Sequence, residues 1–242
     1  MKIIMLMTAC VFSLSLAAQN TKKMNREKMK QYMPVMTKSA GVSFQKFTGL
    51  NDRINGFSQY KTLPDHVYTL SLGSMHNIKN FVSQLNVTAG SSLTGEPEER
   101  SSTVRMLGGS FDLGYDVIPS KMVMLYPMAG VGIETYHGIF YKDVNATSFN
   151  EVANFPSQQN NIRSVKFTNT FGTYRFGLGV ALKSPNGNHS IGLQSIYSGS
   201  FKDDKPWKSA EGQTLAGAPV DDLKRISVSL VITGNMMGMG HK

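Results

Sequence analysis

The sequence predicts an all-β fold, an eight-stranded antiparallel up-and-down transmembrane β-barrel. From about Gly41 onward, short runs alternate apolar and polar residues with the period of two that is typical of strands. The connections between the runs alternate between long and short, and one face of each of the last five runs carries no charge. An outer-membrane barrel has these properties, because its periplasmic turns are short, its outer loops are long and its outside contacts hydrocarbon.

The N-terminal segment has the composition of a signal peptide. Residues 1–18 contain Lys2, an apolar stretch, and the small residues Ala17 and Ala18 that a signal peptidase requires. An alternative is a lipoprotein cleavage site ahead of Cys10, although the apolar stretch before it is short for that purpose. Cys10 is the only cysteine of the chain, so cleavage after Ala18 leaves no thiol and no disulfide.

We expect three further parts after the signal peptide. Residues 19–40 form a basic periplasmic lead-in of low order, because the segment is rich in lysine and methionine and Pro34 would interrupt a helix. The barrel occupies residues 41–234, and residues 235–242 form a C-terminal tail. The net charge of the whole chain, +9, would attract anionic lipid or polysaccharide.

The eight predicted strands follow from the alternating runs. Their approximate limits are 41–48, 66–73, 81–90, 104–117, 122–136, 165–182, 190–202 and 224–233. Short connections follow the second, fourth and sixth strands, and long polar connections follow the first, third, fifth and seventh. Both ends of the barrel are therefore expected on the periplasmic side, with the long connections outside the cell.

One parity of the last five predicted strands forms an uncharged and mostly apolar face. Its members are Leu107, Gly109, Phe111, Leu113, Tyr115, Val117, Val123, Leu125, Pro127, Ala129, Val131, Ile133, Tyr174, Phe176, Leu178, Val180, Leu182, Ile191, Leu193, Ser195, Tyr197, Gly199, Phe201, Ile226, Val228, Leu230 and Ile232. The opposite parity is mostly small or polar, which suits a narrow interior filled by side chains. This arrangement favours a membrane barrel over a soluble lipocalin-like barrel, which hides its apolar face. Pro127 is a misfit, because proline removes a ladder hydrogen bond, and we expect a bulge there.

Three charged residues on the inward parity are candidates for an ion pair in the lumen, namely Glu134, Arg175 and Asp112. Glu134 and Arg175 lie near the outer ends of consecutive predicted strands, where they could face each other across the ladder. A structural ion pair would satisfy a narrow interior, and the functional alternative is gating of a small pore. An eight-stranded barrel is usually too narrow for an aqueous channel.

Trp207 is the only tryptophan and lies among charged residues in the last long connection. Binding function concentrates in loops on a rigid scaffold, so an exposed Trp207 is a candidate contact for a surface partner. The alternative is a tryptophan that folds onto its own loop or lies at the membrane interface.

The sequence shows no arrangement that we assign to catalysis, to a cofactor or to a metal. None of the five histidines is followed by serine two positions later, the spacing of the family resembling lipid A deacylases. His189 and Ser190 are adjacent, so on a strand their side chains point to opposite faces. Acidic residues at 96, 98, 99, 203–204 and 221–222 suit solvated loops, with weak contact to a divalent cation or lipopolysaccharide as the alternative.

Several of these features resemble the outer-membrane β-barrel domain proteins of Bacteroidetes. They are the signal peptide ending in Ala-Gln, the eight runs, and the motifs at 130–133 and 175–180. The architecture is similar to the OmpX and OmpA barrels over about residues 41–234. Members of those families often end on an aromatic residue, whereas this chain continues through 235–242. The resemblance implies a location, the outer membrane of a Gram-negative bacterium, more than an activity.

The sequence therefore predicts a non-enzymatic integral protein of the cell outer membrane. Its long loops would contact surface ligands, or its body would support the envelope. The alternatives are a lipid-modifying outer-membrane enzyme and a soluble periplasmic lipid-binding barrel. We expect no cofactor and no nucleic acid partner. The expected partners are outer-membrane lipid and lipopolysaccharide, the barrel assembly machinery, and a surface ligand that the fold does not identify.

Overall fold

We analysed the protein as a computed structural model. The structure describes residues 34–118, 120–143, 148–154, 163–184 and 189–234. The predicted signal peptide, most of the predicted lead-in and the C-terminal tail lie outside the described residues. Among the described residues, no helix is both long and apolar enough to cross a membrane.

Eight long strands account for most of the described chain, and their connections contain three short strands and two helices. The elements are β1 (Val35–Gln45), α1 (Thr48–Asn55), β2 (His66–Ile78), β3 (Phe81–Ser91), β4 (Ser101–Tyr115), β5 (Val123–Tyr141), α2 (Phe149–Asn154), β6 (Val165–Lys183), β7 (Ser190–Ser200), β8 (Lys205–Pro206), β9 (Lys208–Ser209), β10 (Val220–Asp221) and β11 (Lys224–Gly234). The short strands β8, β9 and β10 all lie in the connection between β7 and β11.

The long strands form a closed antiparallel barrel. Their order is β5-β4-β3-β2-β1-β11-β7-β6, and β5 pairs with β6 to close the ring. Each long strand pairs with its neighbour in the chain, and β1 pairs with β11, for example at Val42 opposite Val228. The predicted fold, an eight-stranded up-and-down β-barrel, is therefore confirmed.

Several strand limits differ from those expected from the sequence, and β2, for example, continues to Ile78 instead of ending near residue 73. β1 begins at Val35 rather than at Gly41, so residues 35–40 belong to the barrel and not to a periplasmic lead-in. These residues are held on both sides, because Met36 pairs with Gly234 of β11 and with Ser74 of β2. β5 continues to Tyr141 instead of ending near residue 136, so the β5–β6 hairpin extends further than expected.

Side chains on the outward parity of the eight long strands form a mostly apolar surface around the barrel, here called the apolar belt. Its large members, all exposed, are Phe44, Tyr68, Leu70, Leu72, Ile78, Phe81, Leu85, Val87, Leu107, Phe111, Leu113, Tyr115, Val131, Ile133, Phe176, Leu178, Val180, Leu182, Ile191, Leu193, Tyr197, Ile226, Val228, Leu230 and Ile232. The parity predicted for the last five strands is the parity observed. The belt also includes exposed apolar side chains on the first three strands, for which no parity was predicted.

The interior has three layers, whereas the sequence suggested a mostly small or polar lumen. The end of the barrel with the short connections is here called the inner end, and the end with the long connections the outer end. Along β5, the inner end contributes Met124 and Tyr126, the middle contributes Glu134, and the outer end contributes Tyr136 and Phe140, all of them buried. The full inner apolar cluster consists of Met75, Val82, Met124, Tyr126, Met128, Ala181 and Ile196. Large interior side chains fit because glycines on facing strands leave space for them.

Gly179 shows how this fit arises. Gly179 of β6 pairs with Tyr126 of β5, and a Cβ atom at Gly179 would overlap the Tyr126 ring. The glycine of one strand therefore makes room for the aromatic ring of the next. A sequence read one strand at a time shows the glycines but not the rings that fill their space.

Pro127 does not cause the expected bulge. Pairing of β4 with β5 extends to Gly114 opposite Met128, and beyond the proline the Val117 amide donates to the Leu125 carbonyl in the same register. The side chain of Asp116 supports this end of the barrel. Its Oδ1 accepts the Leu125 amide at 3.2 Å, and its Oδ2 accepts Lys183 Nζ at 2.8 Å.

Candidate functional site

Four buried charged side chains form the middle layer of the lumen, here called the charged layer. They are Asp112 of β4, Glu134 of β5, Arg175 of β6 and Arg225 of β11, and each is at most 7% exposed. Each lies on the inward parity of its strand. Two carboxylates face two guanidinium groups, so the formal charges of the layer cancel.

Two strong ion pairs and one longer contact connect these residues. Arg175 binds Asp112 with two hydrogen bonds, from Nε to Oδ1 at 2.8 Å and from Nη2 to Oδ2 at 3.3 Å. Arg225 Nη2 donates to Glu134 Oε1 at 2.7 Å. Arg175 Nη1 also reaches Glu134 Oε1, at 3.5 Å. The network therefore links four strands that are not all adjacent in the barrel.

The structure brings the three sequence candidates together, but not in the way that was expected. Glu134 and Arg175 do not face each other across the ladder, because Glu134 pairs with Phe171 and Arg175 pairs with Gly130. They meet only because the arginine side chain extends through the lumen. The closest partner of Glu134 is Arg225, which the sequence reasoning missed. The inward parity of β11, shared with Ser227 and Ser229, is the signal that could have identified it.

Uncharged groups complete the charged layer. Tyr136 Oη donates to Glu134 Oε2 at 2.8 Å, and Ser110 Oγ donates to Asp112 Oδ2 at 3.3 Å. A Cβ atom at Gly130 would overlap the Asp112 carboxylate, so only glycine leaves room for that group. Buried carboxylates with this many donors are held in one geometry, because an unpaired buried charge costs several kcal/mol.

A small polar cavity lies beside the charged layer. It has a volume of about 30 Å³, and its lining includes Arg175, Arg225, Gln84, Gln194 and Ser227. A polar space of this size accommodates roughly two water molecules. The cavity is consistent with local hydration of the charged layer.

An apolar cluster closes the outer end of the barrel and is here called the outer cap. It consists of Phe47, Leu50, Ile54, Leu63, Val67, Val104, Met106, Tyr136, Phe140, Phe171, Trp207 and Leu223. Helix α1 supplies Leu50 and Ile54, whose spacing of four residues places both on one face of the helix. Phe47 packs edge-on against Tyr136 with ring centroids 5.1 Å apart. The first outer connection therefore folds over the mouth of the barrel.

Asp221 joins the two connections that build the outer cap. Its Oδ1 accepts the Gly49 amide at 2.7 Å, and its Oδ2 accepts the Leu50 amide at 3.0 Å and Trp207 Nε1 at 2.7 Å. The carboxylate thus caps the N-terminus of α1 from a distant strand, β10. Burial raises the pKa of the Asp221 carboxyl, and the hydrogen bonds from Trp207, Gly49 and Leu50 oppose this effect.

Trp207 is not the exposed loop contact that the sequence suggested. Its side chain is fully buried, and it packs edge-on against Phe47 with ring centroids 5.2 Å apart. The alternative, a tryptophan folded onto its own loop, describes its position only in part, because Trp207 donates to Asp221 of the same connection but also packs against Phe47 of the first one. The charged residues next to Trp207 in the sequence favoured an exposed position. In the structure, the side chain of Trp207 points inward, whereas that of Lys208 remains exposed.

Asp112 and Glu134 accept hydrogen bonds from guanidinium groups, and Asp221 accepts hydrogen bonds from three N–H donors. Within the described ranges, no group of three or more His, Cys, Asp or Glu side chains could hold a metal ion.

Comparisons with known proteins show the fold. No protein-family model matches the chain, and no curated protein matches it in sequence. Neisserial surface protein A has a similar structure, with a TM-score of 0.50 and 10% identity over 84% of this chain and 96% of that chain. The attachment invasion locus protein Ail of Yersinia pestis has a TM-score of 0.45 and 12% identity, over 83% of this chain and 95% of that chain. A major outer membrane protein from Thermus thermophilus has a TM-score of 0.44 and 12% identity, over 83% of this chain and 100% of that chain.

Proposed function

We propose that the protein is a non-enzymatic, integral outer-membrane barrel with a closed lumen, whose outer cap presents a fixed surface outside the cell. The apolar belt is the observation that carries this proposal. Large apolar side chains surround all eight long strands, with exposures such as 68% for Leu70 and 59% for Leu193. Soluble monomers rarely expose a continuous apolar patch larger than a few hundred Å². Hydrocarbon around a closed barrel removes this surface from water and leaves no strand edge unpaired.

The layered interior supports a structural role rather than transport. The outer cap, the charged layer and the inner apolar cluster follow one another along the lumen. The cavity beside the charged layer, about 30 Å³, is far smaller than a continuous pore. Eight-stranded barrels are usually filled by side chains. Gating through Glu134 and Arg175 is therefore not part of the proposal.

The absence of enzymatic activity is proposed because the buried acids already have partners. A general base must be free to take a proton from the substrate, whereas Asp112 accepts two hydrogen bonds from Arg175. Glu134 is likewise engaged by Arg225 and Tyr136. These contacts favour stabilisation of the barrel over acid-base chemistry.

The proposal includes the route to the membrane and the lipid partners. Residues 1–18 would direct export, and the barrel assembly machinery would insert the chain, as for the Bacteroidetes proteins that it resembles. Contact with lipopolysaccharide is supported by Arg105 and His137. These exposed residues pair across β4 and β5 at the outer edge of the apolar belt, where lipid phosphates are accessible.

Two measurements on the purified, reconstituted protein test the proposal. We expect the protein to remain in vesicles after alkaline carbonate extraction and to produce no conductance steps in a planar bilayer. A porin reconstituted in the same way is the positive control for conductance. Release of the folded protein by carbonate would contradict membrane integration. Regular conductance steps from the wild-type protein would contradict the closed lumen.

A further inference from the structure

The apolar belt is interrupted at one place by a charge. Lys38 of β1 points outward and is exposed. On the neighbouring strands it pairs with Leu72 and Ile232, which are 57% and 49% exposed. Among the described residues, Lys38 is the charged side chain that has exposed apolar belt residues on both sides. It therefore lies within the belt rather than at its edge.

Polar residues continue from Lys38 toward the inner end of the barrel. Beyond Leu72, the outward parity of β2 contains Ser74 and His76 before it ends at the apolar Ile78, and Ser83 of β3 pairs with His76. We call Lys38, Ser74, His76 and Ser83 the polar track. The inner ends of β4, which is the neighbour of β3, and of β6 present exposed apolar side chains, and so do Ile78 of β2 and Phe81 of β3. The polar track is thus a narrow break in the belt, flanked by exposed apolar residues such as Leu85, which pairs with Ser74, and Ile232, which pairs with Lys38.

A lysine in this position requires an explanation. On the lipid face of a membrane barrel, a lysine is destabilising by about 2–4 kcal/mol at the midplane and by less near the interfaces. No ion pair joins Lys38 to an acidic residue within the described part of the chain. Lys38 is three residues from the start of β1 at Val35, so its ammonium can extend along the polar track toward the inner interface.

The depth of Lys38 limits which anion can reach it. A soluble periplasmic protein would have to enter the hydrocarbon to contact it. A second copy related by a two-fold axis through this surface would bring one Lys38 close to the other, which like charges disfavour. The phosphate of an inner-leaflet phospholipid lies at the interface that the polar track approaches, and its acyl chains can lie against Leu72 and Ile232.

We propose that Lys38 and the polar track form a phospholipid site that binds the phosphate of one inner-leaflet lipid. The Lys38 ammonium supplies the charge, and the hydroxyl of Ser74 supplies a further hydrogen-bond donor. The site rests on the proposed function, because it requires the apolar belt to lie in a membrane. It adds a specific lipid partner to that function.

The test is native mass spectrometry of the protein released from nanodiscs of phosphatidylethanolamine and phosphatidylglycerol. We expect Lys38→Met to retain roughly fivefold less bound phospholipid than wild type, the ratio that corresponds to about 1 kcal/mol per basic side chain near lipid. Lys38→Arg should retain the lipid. Lys121→Met is the matched control, because Lys121 is an exposed lysine at the inner end of the barrel, ahead of β5.

The outcomes separate this site from the proposed function. Equal lipid retention by wild type and Lys38→Met would overturn the site, and so would an equal loss in Lys121→Met. Incorporation of every variant into nanodiscs would still support membrane integration. Failure of the wild-type protein to incorporate would instead overturn the proposed function.

Discussion

At the scale of single residues, the charged layer makes a quantitative prediction about its pairs. Removing one partner of a buried ion pair costs about 3–5 kcal/mol, because the other charge remains buried. Glu134 Oε1 lies 2.7 Å from Arg225 and 3.5 Å from Arg175. In double-mutant cycles of reversible unfolding from lipid, we expect Glu134→Gln to couple more strongly with Arg225→Met than with Arg175→Met.

The expected coupling for the Glu134–Arg225 pair is about 1–3 kcal/mol, the range typical of residues in direct contact. Asp112→Asn combined with Arg225→Met is the control, because Arg175 is the residue that binds Asp112 directly. Strict additivity of Glu134→Gln and Arg225→Met would show that the two side chains are apart.

Asp221 predicts a pH dependence with a definite sign. Burial raises the pKa of its carboxyl above the ordinary value of 3.8, so the folded state binds the proton more tightly than the unfolded state. Its contribution to stability is therefore present below pH 3.8 and is lost as the pH rises through the raised pKa. We expect Asp221→Asn to remove this component from urea unfolding measured across the acidic range.

Asp222 provides a control with the opposite sign. The side-chain hydrogen bond from Lys224 lowers the pKa of the Asp222 carboxyl, so its contribution is lost as the pH falls. Asp222→Asn should remove a stabilisation that is present at neutral pH. If Asp221→Asn and Asp222→Asn change the pH profile in the same direction, the pKa of the Asp221 carboxyl is not raised in the folded protein.

The sequence alone predicts which charged side chains point into the lumen, but not which of them pair. Strand parity placed Asp112, Glu134 and Arg175 inside the barrel, because alternation is a local property of the chain. The choice of partners depends on the shear of the closed barrel and on side-chain reach, which no single strand reveals. Arg225 lies on the inward parity of the predicted strand 224–233 but was not named among the candidates for the lumen ion pair.

At the scale of the elements, β6 predicts different effects on its two faces. Leu178 is 48% exposed in the apolar belt. We expect Leu178→Arg to destabilise the barrel in lipid by about 2–4 kcal/mol, whereas Leu178→Met should be nearly neutral. Equal effects of the two variants on unfolding from lipid vesicles would show that this face does not contact hydrocarbon.

The neighbouring position corrects an expectation from sequence. Gly179→Ala would be judged mild from the sequence alone, because the change adds one methyl group. The structure places the Tyr126 ring over Gly179, so the added Cβ must displace that ring. We expect a cost of about 1–3 kcal/mol, as for other overpacked interiors, measured by the same unfolding experiment.

The outer cap can be followed through its own tryptophan. Trp207 is the only tryptophan of the chain and is fully buried. We expect blue-shifted emission that resists quenching by iodide, and a red shift with stronger quenching in Leu50→Ala, which removes a cap contact from α1. Leu215→Ala, in an exposed part of the same connection as Trp207, is the control. Free access of iodide to wild-type Trp207 would contradict the folded cap.

Elements in the loops were the hardest to predict. The eight strands were identified because each carries an alternating pattern of its own. Helix α1 was not predicted, although Leu50 and Ile54 have the spacing of one helical face. Its stability depends on Asp221, which is 171 residues from Leu50 in the chain. Because the residue that caps this short helix is distant in the chain, the N-cap position itself contains no capping residue that would predict the helix.

At the scale of the whole molecule, the barrel combines an apolar outside with a filled inside. The outside could be predicted from the sequence, because outward and inward positions alternate along each strand and the outward ones are mostly apolar. The three layers of the inside could not, because they arise from packing among strands that are distant in sequence. The outer cap and the charged layer together stabilise a closed barrel, and the apolar belt determines where such a barrel is stable.

The most direct test of the membrane barrel uses spin labels along β11 in reconstituted vesicles. Single cysteines at positions 226–232 are introduced into a chain that begins at Gln19 and so contains no other cysteine. Labels at Ile226, Val228, Leu230 and Ile232 should be accessible to oxygen and protected from a water-soluble nickel complex. Labels at the inward positions between them should be protected from oxygen. Nickel access to the outward labels, or accessibility without a period of two, would contradict the account.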